Sequence, residues 1–121
     1  MALRCLIVDD NPAFLEAARD LLEREGLNVV GVATSGEEAI REARDLRPDV
    51  ALVDIDLGDE SGFAVVRELA EADGLVENLI LISTHAEHEF ADLIEASPAL
   101  GFVAKSDLGA DAIQALVDQR R

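Results

Sequence analysis

Short apolar runs alternate with longer amphipathic segments along the chain. Five runs are rich in Val, Ile, Leu and Ala and end at polar or turn-forming residues: Leu3–Val8, Asn28–Ala33, Val50–Asp54, Leu79–Ser83 and Gly101–Ala104. Several are apolar at almost every position, which is typical of strands that are covered on both faces of a parallel sheet. We therefore predict five parallel strands.

The segments between these runs have apolar residues at three- and four-residue steps, the period of an amphipathic helix. The first follows Asn11 as a predicted N-cap, with Pro12 at the first helical position and Gly26 after the end. In the second, Ser35 and Glu38 have the spacing of a capping box. Both segments are predicted helices with defined starting residues.

Three further helices complete the alternation. Ser61 is the predicted cap of the third, and the fourth and fifth are predicted around Phe90–Ile94 and Ala112–Val117. Five β-α repeats predict one α/β domain over residues 1–121, an open, doubly wound sheet with helices on both faces. In such folds ligands bind outside the carboxyl ends of the strands, where the winding direction switches.

The charge balance narrows the range of partners. The chain has 10 basic and 26 acidic residues, a net charge of −16. This charge repels nucleic acid and anionic membrane surfaces, so we expect no direct binding to either. No apolar stretch approaches the roughly 20 residues that span a bilayer. Cys5 is the only cysteine; we expect a buried, inert thiol and a cytoplasmic protein.

Acidic residues stand at the carboxyl ends of two predicted strands. Asp9 and Asp10 follow the first strand, Asp54 ends the third, and Asp56 comes shortly after. If these strands are neighbours, the carboxylates converge and repel one another unless a cation lies among them. Oxygen ligands favour Mg²⁺, with Mn²⁺ as the alternative ion. An isolated acidic pair at a strand end is better explained as a cap of the following helix, but two such strand ends at compatible positions favour a shared site.

Ser83 and Lys105 end the fourth and fifth predicted strands at the same edge. A hydroxyl and an ammonium can bind phosphoryl oxygens, with Asp54 as the nucleophile. Considered separately, Ser83 is explained as an ordinary strand-end hydroxyl and Lys105 as a surface charge. Together with the acids they supply the groups needed for aspartyl phosphorylation.

From end to end, the chain resembles the receiver domain of response regulators. The similarity rests on the stretches LIVDD, DVALVDIDL, LILIST and GFVAK, in this order. It implies a flavodoxin-like receiver fold with strand order 2-1-3-4-5. The family's functional residues then correspond to an acidic pair, a phosphoacceptor, a hydroxyl and a lysine 22 positions later: Asp9, Asp10, Asp54, Ser83 and Lys105.

The resemblance also implies individual roles. Asp10 and Asp54 would ligate Mg²⁺ directly, Asp56 through its backbone carbonyl, and Asp9 largely through water. Phe102 would be a switch aromatic that turns inward when Ser83 is drawn to the phosphoryl group. This movement would remodel the face formed by the fourth helix, fifth strand and fifth helix.

Four positions depart from the family pattern. Gly58 and Ser106 each stand where Pro is frequent, which predicts a more mobile loop after Asp54 and leaves a cis peptide after Lys105 open. Asp59 and Glu60 add negative charge beside the site. They are either a solvated loop or a weak repulsion of phosphodonors.

Two histidines admit other interpretations. His85 and His88 are three positions apart, but without nearby Cys they complete no usual zinc site. In receivers the positions of Asp56 and His85 flank the path of hydrolytic water. Our hypothesis is that this pair tunes the lifetime of the phosphoryl group; a role as solvated loop residues is the alternative.

The expected function is a phosphorylation-dependent signalling switch. A histidine kinase or a phosphotransfer protein would donate phosphate to Asp54, and the changed surface would bind a downstream protein or a separate output domain. The catalysis would be limited to self-phosphorylation and autodephosphorylation. A homodimer through the face of the fourth helix, fifth strand and fifth helix is also envisaged, where Phe90, Leu93 and Ile94 are core, partner or dimer contacts.

Two other functions are open. The Asp54-Ile55-Asp56 sequence superficially matches a haloacid-dehalogenase-type phosphatase, although that family carries its motif on the first strand. The other is a receiver-like interaction module that takes no phosphate. No output domain is expected within residues 1–121, and the ending Gln119-Arg120-Arg121 does not distinguish a single-domain regulator from a receiver of a longer transcription factor.

Overall fold

Five parallel strands form one sheet in the computed structural model, which describes residues 3–72 and 75–119. The predicted domain ends at Met1 and Arg121 lie outside these residues. In chain order the strands are β1 (Arg4–Val8), β2 (Asn28–Ala33), β3 (Val50–Asp54), β4 (Asn78–Ser83) and β5 (Gly101–Ala104). Their order across the sheet is β2-β1-β3-β4-β5. The predicted fold is confirmed, with β1 and β4 each starting one residue away from the predicted position.

Helices follow the strands on both faces. They are α1 (Pro12–Arg24), α2 (Gly36–Leu46), α3 (Gly62–Glu71), α4 (Ala91–Ala96) and α5 (Ala110–Gln119). The predicted fourth helix is divided, because Phe90 ends a 3-10 turn over Glu87–Phe90 and α4 begins only at Ala91. A second 3-10 turn, Lys105–Asp107, directly follows β5.

The predicted caps mostly form. The Asn11 side chain accepts the N–H groups of Ala13 and Phe14, which starts α1 at Pro12. At α2, Ser35 Oγ accepts the Glu38 N–H at 3.2 Å, but the Glu38 carboxylate accepts the N–H of Thr34 at 2.8 Å. The reciprocal half of the predicted capping box is therefore wrong, since Glu38 reaches one residue beyond Ser35.

Alternating side chains of each strand enter two separate cores. Leu6 and Val8 of β1 pack with α2 and α3 on one face of the sheet. Cys5 and Ile7 pack with α1 and α5 on the other face. Burial raises the pKa of the Cys5 thiol to about 12, so it stays protonated and inert, as the sequence predicts.

A tight connection holds α3 against the end of β3. The Gly62 N–H donates to the Ile55 carbonyl at 2.7 Å, and the two-residue strands Asp56–Leu57 and Glu60–Ser61 pair antiparallel. Gly58 lies in the turn between them with φ +69°. The proline ring fixes φ near −65° and is excluded from this conformation, which explains the departure from the family pattern at this position. The predicted extra mobility of this loop stays a prediction.

Candidate functional site

Three carboxylates converge at the carboxyl edge of the sheet. Asp9, Asp10 and Asp54 each offer an oxygen atom, and these atoms all lie within 4.8 Å of one another. They meet because β1 and β3 are adjacent and parallel, with Val8 paired to Val53. Asp9 and Asp54 are buried, at 0% and 6% exposure, whereas Asp10 is exposed. The cluster is therefore open to solvent through Asp10.

Lys105 supplies the positive charge that faces this cluster. Its Nζ lies 2.6 Å from Asp9 Oδ2 and 3.0 Å from Asp54 Oδ2, and its side chain is 14% exposed. One ammonium cannot neutralise three carboxylates. Among the described residues, Asp9 Oδ2 also has no hydrogen bond of acceptable geometry, so its contact with Nζ is an ion pair.

Backbone N–H groups hold the second oxygen of each buried carboxylate. Asp9 Oδ1 accepts the N–H of Asn11 at 2.9 Å, and Asp54 Oδ1 accepts the N–H of Asp56 at 3.1 Å. Both bonds link two residues within one strand-to-loop turn. They orient the carboxylates so that each Oδ2 turns toward Lys105.

Burial has the largest effect on the pKa of Asp54, and it raises that pKa. The hydrogen bonds from the Asp56 N–H and Lys105 lower the pKa, whereas the negative charge of Asp9 raises it. The net result is a pKa above the ordinary value of 3.8. Burial alone lowers the pKa of Lys105, but its close contacts with Asp9 and Asp54 and the negative charges of these carboxylates outweigh burial and raise it. The two directions agree with an excess of negative charge over positive at the site.

The donor set fits a hard divalent cation. It consists of oxygen atoms only, it carries more negative charge than Lys105 compensates, and it includes the buried Asp9 Oδ2 atom without a satisfactory hydrogen bond. Mg²⁺ prefers one or two carboxylates with retained waters, and the exposed Asp10 side leaves room for water. Within the described residues this is the one convergent group of potential ligands, and it includes neither His85 nor His88.

Ser83 is at the same edge but its hydroxyl is engaged elsewhere. It is 1% exposed and follows Ile82, which pairs with Asp54 across β3 and β4. Its Oγ accepts the N–H of His85 at 2.9 Å. The hydroxyl is thus one strand away from Asp54 and fixes the start of the loop that leads to α4.

The remaining predicted residues occupy separate positions. Phe102 is half-buried in β5 opposite Leu81 and packs on the core beneath α2 and α3. His85 is exposed, 3.7 Å from Glu89 and edge-on to the ring of Phe90. The side chain of Asp56 is exposed. The partners of the His85 imidazole thus lie in the 3-10 turn Glu87–Phe90 that follows it.

The peptide bonds at the site are ordinary. The described residues contain trans peptide bonds throughout, including the bond between Lys105 and Ser106. The cis peptide that the family pattern left open is therefore absent from this described segment. Ser106 instead forms the middle of the 3-10 turn that follows β5.

Two neighbours of the site were not identified from the sequence. The Phe14 ring lies 4.2 Å from Lys105 Nζ, and a Cβ at Gly62 would lie 2.7 Å from the carbonyl carbon of Asp54. In the sequence, Phe14 is one of the apolar residues of α1. Its place in the first helical turn after Asp9 and Asp10 is the signal that could have indicated a site residue.

The chain is similar to known proteins along nearly its whole length. The sequence profile of the response regulator receiver domain matches residues 5–118. The response regulator GacA of Pseudomonas viridiflava is 31% identical over 115 residues, 94% of this chain and 53% of that protein. The chemotaxis protein CheY of Thermotoga maritima is 30% identical over 118 residues, which is 96% of this chain and 96% of that protein.

Solved structures give the same result. A two-component response regulator of the LuxR family from Aurantimonas sp. SI85-9A1 superimposes with a TM-score of 0.85 at 31% identity, covering 98% of this chain and 85% of that one. The chain thus spans about half of GacA but nearly all of CheY. Within residues 3–72 and 75–119, no helix has the length and apolar character to cross a membrane.

Proposed function

The chain belongs to the response regulator receiver domain family, and from this membership we propose that it is a phosphorylation-dependent switch with Asp54 as phosphoacceptor. The observation that carries the proposal is the contact of Lys105 Nζ with Asp54 Oδ2 at 3.0 Å, beside two further carboxylates. This arrangement combines a nucleophile, a cation for phosphoryl oxygens and an acidic ion site in one place.

The transfer forms one bond and breaks one. An Asp54 carboxylate oxygen attacks the phosphorus of a donor phosphohistidine or acyl phosphate, and the bond from phosphorus to the donor nitrogen or oxygen breaks. Lys105 binds a phosphoryl oxygen, while the Asp56 N–H at 3.1 Å keeps the carboxylate oriented. Such transfers have loose transition states, so alignment and charge neutralisation supply most of the catalysis.

Mg²⁺ would be held by Asp10 and Asp54, through water by Asp9, and by the backbone carbonyl of Asp56. When bound, it would neutralise charge on the phosphoryl oxygens. The excess of carboxylates over ammonium at the site supports this assignment. Mn²⁺ offers the same octahedral oxygen chemistry.

The switch would start at Ser83. Its hydroxyl can donate to a phosphoryl oxygen, and because Oγ also accepts the His85 N–H, moving it displaces the loop before α4. Phe102 would then repack and remodel the face of α4, β5 and α5. A few added hydrogen bonds suffice when two packings differ by a few kcal/mol. Leu93, at 55% exposure on α4, supports a protein-binding or dimer surface there.

The phosphodonor would be a histidine kinase or a phosphotransfer protein, and the receiver of the signal a protein partner or an output domain. The low affinity for nucleic acid expected at −16 net charge applies to residues 1–121 and not to a longer protein of GacA's length. The single buried thiol of Cys5 supports a cytoplasmic location.

Two alternatives make different predictions. One alternative, a phosphatase of the haloacid-dehalogenase type, is disfavoured by the position of Asp56. Its side chain is exposed, and its contact with Asp54 is made through the backbone N–H.

The test measures two quantities in the presence of Mg²⁺: the phosphate released from a phosphate monoester, and the phosphate bound to the protein after incubation with acetyl phosphate. Stoichiometric, acid-labile labelling without monoester turnover supports the receiver. Steady turnover of the monoester favours the phosphatase. The absence of both labelling and turnover favours the second alternative, a receiver-like interaction module that takes no phosphate.

A further inference from the structure

The ammonium group of Lys105 has an aromatic neighbour in addition to its two carboxylates. The Phe14 ring centroid lies 4.2 Å from Nζ, well within the distance of about 6 Å at which a cation is attracted to a ring face. Asp9 Oδ2 and Asp54 Oδ2 lie at 2.6 and 3.0 Å. The ammonium therefore has two carboxylates and a π face around it, and its side chain is only 14% exposed.

The position of Phe14 is fixed by the site itself. Asp9 Oδ1 accepts the N–H of Asn11, and Asn11 Oδ1 accepts the N–H of Phe14 at 3.3 Å. Phe14 in turn packs on the core between the sheet and α1. A closed chain of contacts thus runs from Asp9 through Asn11 and Phe14 to Lys105, and back to Asp9.

We propose that Phe14 is a positioning residue for phosphoryl transfer, acting by holding the Lys105 ammonium over its ring. Lysine has a flexible four-carbon stem and a strongly hydrated charge, so an unrestrained ammonium spends time in solvent. Three attractive neighbours on different elements remove that freedom before the donor arrives. A group that is already placed costs no reorganisation at the moment of transfer.

This role differs from simple core packing because it needs a π face. Leucine at position 14 keeps apolar contact with the core beneath α1 but has no ring quadrupole, whereas tyrosine keeps both the contact and the ring. Phe63 on α3 is the matched control: it is a half-buried aromatic residue that contacts Phe90 and packs on the opposite face of the sheet. Substituting it changes aromatic core without touching Lys105.

The experiment measures the rate of Asp54 phosphorylation by acetyl phosphate with saturating Mg²⁺, in Phe14→Leu, Phe14→Tyr and Phe63→Leu proteins. We expect Phe14→Leu to slow the rate by about 2- to 30-fold, the range that corresponds to the loss of one cation–π contact. Phe14→Tyr should restore it, and Phe63→Leu should leave it unchanged. In a Lys105→Met background, Phe14→Leu should have no further effect, since Phe14 acts through the ammonium.

A spectroscopic readout is independent of phosphorylation. Protons above a ring face are shielded, so the ε-methylene protons of Lys105 should resonate upfield in the wild-type and Phe14→Tyr proteins and move downfield in Phe14→Leu. The inference rests on the proposed function, but the two fail differently. Absence of labelling in the wild-type protein overturns both; equal rates in wild-type and Phe14→Leu proteins, or an unshifted Lys105 resonance, overturn the inference alone.

Discussion

Gly62 and Asp54 are in direct backbone contact. A Cβ at position 62 would lie 2.7 Å from the carbonyl carbon of Asp54 and 2.8 Å from Ile55 Cα, distances that real Cβ atoms essentially never show. Both obstacles are backbone atoms, which cannot turn aside as a side chain can. The first turn of α3 therefore sets the position of the strand end that carries the candidate phosphoacceptor.

Gly62→Ala should destabilise the domain and displace Asp54. Because the added methyl group must push backbone, we expect the free energy of unfolding to fall by about 1–3 kcal/mol. Gly109→Ala is the matched control, since its Cβ would meet only a side-chain atom, Glu25 Oε1, at 3.2 Å and no backbone atom. Urea denaturation checks this expectation. Equal stabilities of the two variants would show that the contact relaxes freely.

Because the pKa of Asp54 is raised, the free energy of unfolding should depend on pH when a chelator keeps the site free of metal. A carboxyl whose pKa is raised on folding binds its proton more tightly in the native state than in the unfolded state. Stability from this group is therefore present at low pH and is lost as pH rises from the ordinary value of 3.8 through the raised value.

The substitution Asp54→Asn should remove this loss of stability at higher pH. The free energy of unfolding is measured by urea denaturation in the presence of a chelator. Between acid and neutral pH, its value for Asp54→Asn should increase relative to that of the wild-type protein. Asp59→Asn, which removes an exposed charge in the neighbouring turn, serves as the control for the loss of one negative charge. A difference for Asp54→Asn that shrinks toward neutral pH would contradict the burial of an excess negative charge.

Mg²⁺ should stabilise the native state by binding at the aspartate cluster. A ligand that binds only the folded protein adds RT ln(1 + [L]/Kd), about 2.7 kcal/mol at 100 times Kd. Asp10 is exposed, so Asp10→Asn should fold normally but lose most of the Mg²⁺-dependent rise in Tm. Asp59→Asn, with the same loss of charge, should keep that rise. Equal responses of both variants would move the ion site elsewhere.

Asp56 and His85 are predicted to tune the decay of the phosphorylated state. His85→Ala and Asp56→Asn should each change the first-order decay constant by about 3- to 10-fold, roughly 0.7–1.4 kcal/mol in the barrier. His88→Ala is the control, since His88 is equally exposed but does not flank the site. Decay followed after removal of the phosphodonor decides this, and unchanged constants in both variants would reduce the pair to loop residues.

The sequence predicts the sheet because strand burial on two faces leaves a direct pattern. Val50–Asp54 is buried at every position, and a short, continuous apolar run of this kind is typical of a central strand in a parallel sheet. The carboxyl-edge rule then places Asp9 and Asp54 at one edge of the sheet. The strand order that makes β1 and β3 neighbours, and so brings these two residues together, came from the resemblance to the receiver family and not from the pattern.

Contacts between distant elements were not accessible in this way. The approach of Phe14 to Lys105 depends on the packing of α1 against the end of β5, which no local period records. The division of the fourth helix likewise falls at Phe90, whose ring packs edge-on with His85 and tilted against Phe63. The end of α4 did carry a signal, since Pro98 forces Ser97 into an extended conformation.

Mapping the phosphoryl group after incubation with acetyl phosphate and Mg²⁺ tests the central claim most directly. Intact-mass measurement followed by peptide analysis should find one phosphoryl group in the wild-type protein, on Asp54, and none in Asp54→Asn or after Mg²⁺ is chelated. Asp59→Asn should be labelled like wild type. Full labelling of Asp54→Asn, or a wild-type protein that stays unmodified, would contradict the assignment of Asp54 as phosphoacceptor.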